Sequence, residues 1–146
     1  MKKLFILFIF WAAISACKKD KKIEISTTPA IEFAGITPSA AIEYKDKITI
    51  TISYKDGDGD IGENTPDVKN LFLTDSRNNV TYQYRVSQLA PSGQATAIEG
   101  TLTIELKNTA ITNGASSQSV SFSVYLKDRA GNISNTIATS AITVTN

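Results

Sequence analysis

Short stretches in which apolar and polar residues alternate with a period of two run through this sequence from residue 31 onward. In residues 48–55, three isoleucines and a tyrosine alternate with threonine, serine and lysine. Because successive side chains of a β-strand point to opposite faces, this pattern is typical of a strand with one buried face. Alternation and β-branched or aromatic residues together predict seven strands, at 31–36, 47–55, 68–74, 80–86, 101–107, 119–127 and 136–145.

Turn-forming pairs such as Asp56-Gly57, Asn113-Gly114 and Gly131-Asn132 separate the predicted strands. No stretch beyond the first 17 residues has the period of an amphipathic helix. Seven short strands within about 115 residues predict an all-β domain, an antiparallel two-sheet sandwich of immunoglobulin-like or fibronectin type. An up-and-down barrel is the alternative. The lack of a cysteine pair and of any tryptophan after Trp11 argues against an antibody-type domain.

The first 17 residues predict a lipoprotein signal. Two lysines precede an almost uninterrupted apolar stretch from residue 4 to 14, and small residues follow it. This order is that of a signal peptide, here residues 1–16. Ile14-Ser15-Ala16-Cys17 resembles the lipobox of bacterial lipoproteins. The resemblance implies cleavage before Cys17 and attachment of diacylglycerol to its thiol, whereas an ordinary secretory signal would leave the thiol free. The apolar stretch is shorter than the roughly 20 residues that a transmembrane helix needs.

Residues 17–30 are predicted to be the lipidated cysteine and a flexible linker, ahead of a sandwich domain at 31–146. The linker carries four lysines, then serine and threonine, and has few apolar residues to bury. Lys18 follows the cysteine, where an aspartate would resemble an inner-membrane retention signal. This favours the outer membrane, and leaves open whether the domain faces the periplasm or the cell surface.

The composition excludes several kinds of chemistry. The chain has no histidine, and Cys17 is its only cysteine, so Ser-His-Asp and Cys-His catalysis and thiolate or histidine zinc sites are excluded. Carboxylates could still serve as acid and base, as in glycoside hydrolysis. Those of residues 56–63 cluster in one loop with no groove implied, so we predict that the protein is not an enzyme. The net charge is +1, but six of the 15 basic residues precede residue 24, so residues 25–146 carry nine basic and 12 acidic residues. A domain with that balance is not expected to bind nucleic acid.

The densest group of charges is the acidic loop, residues 56–63. Asp56, Asp58 and Asp60 alternate with glycines directly after a predicted strand. Calcium takes six to eight oxygen ligands, and glycine allows a loop to curl around an ion. The spacing begins like that of an EF-hand, but Ile61 stands where that motif has glycine and Asp67 where it has glutamate. The EF-hand is therefore excluded, while calcium binding is not.

A second polar loop, residues 127–132, follows the strand predicted at 119–127. In an immunoglobulin-type sandwich this loop and the acidic loop lie at the same pole, and the first strand begins near it. The linker should therefore enter the domain at the acidic end. The predicted calcium site comprises five residues: Asp56, Asp58, Asp60, Asp128 and Asn132. The alternative is that both loops are turns held by their own side-chain hydrogen bonds, without an ion.

Taken together, the lipobox, the polar linker, the run Asp56-Gly57-Asp58-Gly59-Asp60 and the turn through 128–132 resemble small Gram-negative envelope lipoproteins with one Ig-like domain. The resemblance implies a fold and a location. We predict a non-enzymatic binding or adhesion module, anchored to the membrane through its N-terminal lipid, with a protein or glycan ligand contacted by the acidic loop or by residues 88–98. The alternative is an accessory subunit of an envelope complex, which predicts an open edge strand or an exposed patch formed by Tyr82, Tyr84 and Tyr125. For Tyr82 and Tyr84, which share a face with Val80 and Val86, core packing is the simpler interpretation.

Overall fold

The computed structural model describes residues 25–146, which form ten β-strands and no helix. Within these residues there is accordingly no helix long and apolar enough to cross a membrane. The strands are β1 (Ala30–Thr37), β2 (Ala40–Ile42), β3 (Ile48–Asp56), β4 (Leu71–Asp75), β5 (Thr81–Tyr84), β6 (Ile98–Leu106), β7 (Ser117–Val120), β8 (Phe122–Leu126), β9 (Ile137–Ala138) and β10 (Ile142–Thr145).

The strands form two layers that pack on one core. One layer is a sheet of order β1-β3-β6, and the other contains the sheet β5-β4-β8-β9. A third sheet, β2-β10-β7, extends the second layer, because β7 and β8 are separated only by Ser121 and β10 follows β9 after three residues. All pairings are antiparallel except that of β2 with β10. None of the described sheets closes on itself, so the sandwich prediction is confirmed and the barrel alternative is not.

The core follows the alternation seen in the sequence. Ile48, Ile50 and Ile52 on β3 are fully buried, and the intervening threonines are partly exposed. The opposite layer contributes Leu73 from β4 and Val124 from β8, each also fully buried. Burial of one such side chain stabilises the fold by about 1.5–3 kcal/mol, so the inward rows of both layers hold them together.

The strand pattern differs from the prediction in four main places. The strand predicted at 136–145 is divided at residues 139–141 into β9 and β10, which belong to different sheets. β2 is an additional strand of three residues, too short to show an alternation. The strand predicted at 119–127 is interrupted at Ser121, beside Phe122, whose backbone N–H is bound by the Thr139 hydroxyl at 3.0 Å. The strand predicted at 80–86 spans only Thr81–Tyr84, because the Asn70 side chain takes both backbone groups of Val86, at 2.7 and 3.1 Å.

The tyrosines do not form one surface patch. Tyr82 and Tyr84 pack against the core from the inner face of β5. Tyr125 lies on the other face of that layer, where its ring stacks on Phe72 with centroids 4.7 Å apart. The predicted patch of three tyrosines is therefore absent from the surface of the described domain.

One end of the sandwich, which we call the acidic pole, collects the features that bear on function. β3 ends there at Asp56, and β1 begins there, since Ala30 pairs with Lys55. The turn after β8 lies at the same end, where Lys127 forms an isolated bridge with Ile133. This is the juxtaposition that an immunoglobulin-type strand order imposes.

Candidate metal centre

The acidic loop curls back onto its own first residue. Asp56 is the last residue of β3 and is fully buried. Its Oδ2 accepts a hydrogen bond of 2.9 Å from the backbone N–H of Asp60, which closes a five-residue turn. Gly59, inside this turn, has a φ of 73°, and an added Cβ would clash with the backbone oxygen of Thr96. Glycine is therefore required where the loop reverses.

Three carboxylate oxygens within this turn are buried without a partner. The Oδ1 atoms of Asp56, Asp58 and Asp60 have no hydrogen bond among the described residues. These are also the residues whose carboxylates can each place an oxygen within 4.8 Å of the other two. Oxygens bound to one calcium ion at about 2.3–2.6 Å are at most about 5 Å apart, so one calcium ion can contact all three carboxylates.

The pKa values of the loop carboxyls also favour a bound cation. Burial is the largest cause of a raised pKa at Asp56. The hydrogen bond from the Asp60 N–H, the next largest cause, opposes it, and the neighbouring carboxylates of Asp58, Asp60 and Asp128 raise the pKa further. Burial is also the largest cause of a raised pKa at Asp60, with Asp128 and Asp58 contributing. Ionised carboxylates are thus disfavoured here unless a cation accompanies them.

The second loop lies directly against the first. The backbone N–H of Ala130 donates to Asp60 Oδ2 at 2.9 Å, and that of Arg129 donates to the Asp60 carbonyl at 3.2 Å. Asp128 and Asn132, however, are bonded to each other. Asp128 Oδ1 accepts from the Asn132 backbone N–H at 2.7 Å, and Oδ2 accepts from the Asn132 side-chain amide at 2.8 Å. The structure brings all five predicted residues to one pole, but only the first three converge.

Arg129 is a contact that the sequence reasoning missed. Its guanidinium donates to the carbonyl of Gly62 at 2.8 Å and to that of Gly59 at 3.4 Å. It thereby clamps the acidic loop onto the second loop and places a positive charge close to Asp60, which lowers the pKa of that carboxyl in part. The signal in the sequence was a second cation after Lys127, placed between Asp128 and the Ala130-Gly131 turn, in a loop predicted to lie beside the acidic loop.

Residues 88–98 are also part of this pole. The backbone N–H of Leu89 donates to the Ile61 carbonyl at 3.2 Å, and that of Thr96 donates to the Asp58 carbonyl at 3.2 Å. A cleft of about 300 Å³ separates Asp58 and Asp60 from residues 92–95. Calcium takes more than three ligands, and this cleft gives water access to the remaining coordination positions.

Glu63 does not complete the carboxylate group. Its Oε1 accepts hydrogen bonds from the backbone N–H groups of Asn64 and Thr65 and from the Thr65 hydroxyl, at 2.8–3.1 Å. These bonds, the backbone bond from Thr65 foremost, lower the pKa of Glu63. The residue therefore caps the turn that follows the acidic loop.

Cys17 and the predicted signal peptide lie outside the described residues. Comparisons of the chain with protein-family models, with curated proteins and with solved structures found no match.

Proposed function

We propose that this protein is a lipid-anchored envelope lipoprotein whose Ig-like domain is a non-enzymatic binding module stiffened by calcium. The lipobox at Cys17 supports the anchor. The convergence of three buried carboxylate oxygens without partners supports the ion site, and it is the observation on which the proposal mainly rests.

The ion would relieve an energetic deficit built into the loop. A buried acceptor without a partner destabilises a fold by about 1–3 kcal/mol, and more when it is charged. A divalent cation at the common centre satisfies three such oxygens and offsets their mutual repulsion. Two neighbouring side chains already have partners: Asp128 is bonded to Asn132, and Arg129 to backbone carbonyls. The alternative of an ion-free turn explains those bonds, but leaves the three oxygens of Asp56, Asp58 and Asp60 unexplained.

The site favours calcium over magnesium. Magnesium demands near-ideal octahedral geometry at about 2.0–2.1 Å, whereas calcium accepts irregular oxygen shells at longer distances. A glycine-rich loop with three carboxylates and access to water fits calcium. Such a site lies within the loop and does not project from it, because the three oxygens are buried. We therefore assign it a stiffening role.

Thermal unfolding of the purified full chain in detergent tests the proposal. We expect millimolar calcium to raise the melting temperature relative to chelator, with a shift that grows as the ion concentration exceeds Kd. Asp58→Asn should remove the shift. Asp67→Asn is the matched control, since Asp67 is an exposed carboxylate outside the group. A melting temperature unchanged by calcium would leave the acidic loop as a turn and refute the ion site.

A second candidate function, an accessory subunit of an envelope complex, is favoured by the edge of β6. All nine residues of β6 pair with β3, without a bulge. Its other edge makes no backbone hydrogen bond to any described residue outside that sheet. Beside this edge runs an apolar cleft of about 400 Å³ that includes Leu102 and Tyr84. Open edges of this kind pair with an added strand of a partner protein.

Pull-down from detergent-solubilised envelopes distinguishes the two functions. A stoichiometric partner that is lost in Thr103→Lys, on the outer face of β6, and retained in Thr143→Lys, on β10, would support the accessory subunit. If no partner is lost from the β6 variant, the binding module remains the better proposal.

A further inference from the structure

The chain enters the domain across the acidic loop. Residues 25–29, which we call the leading segment, precede β1 and end in the buried Pro29. The backbone N–H of Gly57 donates a hydrogen bond of 2.8 Å to the Ser26 carbonyl. A Cβ at Gly57 would clash with the Ile25 carbonyl oxygen and lie 2.8 Å from that of Ser26. The leading segment therefore packs directly against Gly57, and a larger residue between Asp56 and Asp58 would displace it.

The docking of this segment has little other support. Residues 25–28 are exposed. Within residues 25–146 their one other hydrogen bond, from the Thr28 N–H to the Ser26 hydroxyl, is internal to the segment. From Ile31 onward the chain is held independently of the acidic loop. The Asn135 side chain bonds both the N–H and the carbonyl of Ile31, each at 2.8 Å. The boundary between weak and strong attachment therefore falls at Pro29 and Ala30.

The amide that holds Ser26 belongs to the ion-binding turn. Gly57 stands between Asp56 and Asp58. Each of these residues and Asp60 has one buried oxygen without a partner among the described residues, and the three can place carboxylate oxygens within 4.8 Å of one another. An ion bound by the residues on both sides fixes the backbone at Gly57 and with it the direction of its N–H. Without an ion, repulsion among the carboxylates favours opening of the turn. The single hydrogen bond to the leading segment then loses its fixed donor.

We propose that ion binding by Asp56, Asp58 and Asp60 locks residues 25–29 onto the acidic loop, so that the ion controls where the chain leaves the domain toward its N-terminus. This inference rests on the proposed calcium site. With the ion bound, residues 25–29 are fixed on the acidic loop. With the ion removed, the chain is fixed only from residue 30 onward.

Nuclear magnetic resonance of the ¹⁵N-labelled full chain in detergent measures this coupling directly. We expect calcium to slow exchange of the Gly57 amide about fivefold or more, the factor that one ordinary hydrogen bond supplies. The heteronuclear NOE of Thr27 should rise with it. The amide of Ile31, held by Asn135, serves as an internal reference and should not change. Asp58→Asn should abolish both changes, and Asp67→Asn should preserve them.

A steric variant tests the docking. Gly57→Ala should keep the Thr27 NOE low with and without calcium, because the added Cβ would clash with the Ile25 carbonyl oxygen. Gly35→Ala is the matched control, because a Cβ there meets no atom within 4 Å. If calcium raises the melting temperature of the unmodified chain but leaves the Thr27 NOE unchanged, the coupling is refuted and the ion site stands. If calcium changes neither quantity, the proposed function fails together with the inference.

Discussion

Asp58→Asn should change the stability of the domain in opposite directions with and without calcium. Asp58 is suited to this test because neither of its carboxylate oxygens makes a hydrogen bond among the described residues. Two like charges 4.8 Å apart repel by about 3.5 kcal/mol at an effective dielectric constant of about 20. Asp58 is only partly buried, and solvent screening reduces the net effect to the order of 1 kcal/mol.

In chelator, removing this charge relieves Asp56 and Asp60, so we expect the melting temperature of the variant to rise by about 4 °C. In saturating calcium the variant lacks one ligand, so it should melt below the unmodified chain. Circular dichroism melts of both chains, in calcium and in chelator, give the four temperatures needed. If Asp58→Asn lowers the melting temperature equally in both conditions, Asp58 supports the turn itself and the argument from unpartnered oxygens is wrong.

Two further predictions concern buried charges. Arg77→Ala should destabilise the domain by about 3–5 kcal/mol in urea unfolding, because it leaves the buried Asp75 without the guanidinium that contacts it at 2.7 Å. Lys47→Ala is the control. Lys47 belongs to an exposed ion pair, so its loss should change stability by less than about 1 kcal/mol. The raised pKa values of Asp56 and Asp60 mean that their ionised forms destabilise the calcium-free fold. In chelator their contribution should therefore become less unfavourable as the pH falls from 7 through those pKa values toward about 4. Urea unfolding at pH 7 and pH 5 checks this, and a variant with asparagine at both positions should lack the gain.

The sequence predicted the strands well where one face of each is buried. β3 and β8 alternate strictly because their inward side chains fill a single core, and the period of two records that burial. The prediction of strands failed where other contacts replace strand pairing. The Asn70 side chain bonds the backbone N–H and carbonyl of Val86 in place of a neighbouring strand, and no local sequence pattern encodes the position of that side chain.

The candidate site divides in the same way. Topology alone places the loops after β3 and β8 at one pole, so their juxtaposition could be predicted from the strand order. The sequence could not predict which carboxylate oxygens lack hydrogen-bond partners, because that depends on the orientation of each side chain. Asp128 bonds Asn132 within its own loop, whereas the Asp58 carboxylate has no hydrogen-bond partner in the part of the chain that the structure describes. The contact of Ser26 with Gly57 joins a predicted flexible linker to the loop, and only the folded backbone shows it.

The pairing of β1 with β3 has a mechanical consequence. The register runs from Ala30 opposite Lys55 to Thr37 opposite Thr49, and the N-terminal end of β1 lies at the pole where the linker enters. A force pulling on the linker, against a load at the far pole, acts along the axis of β1. Since the inter-strand hydrogen bonds are perpendicular to the strands, such a force shears the whole ladder at once and does not unzip it one bond at a time. The β1–β3 ladder therefore resists a pull along the axis of β1 better than a pull across the strands.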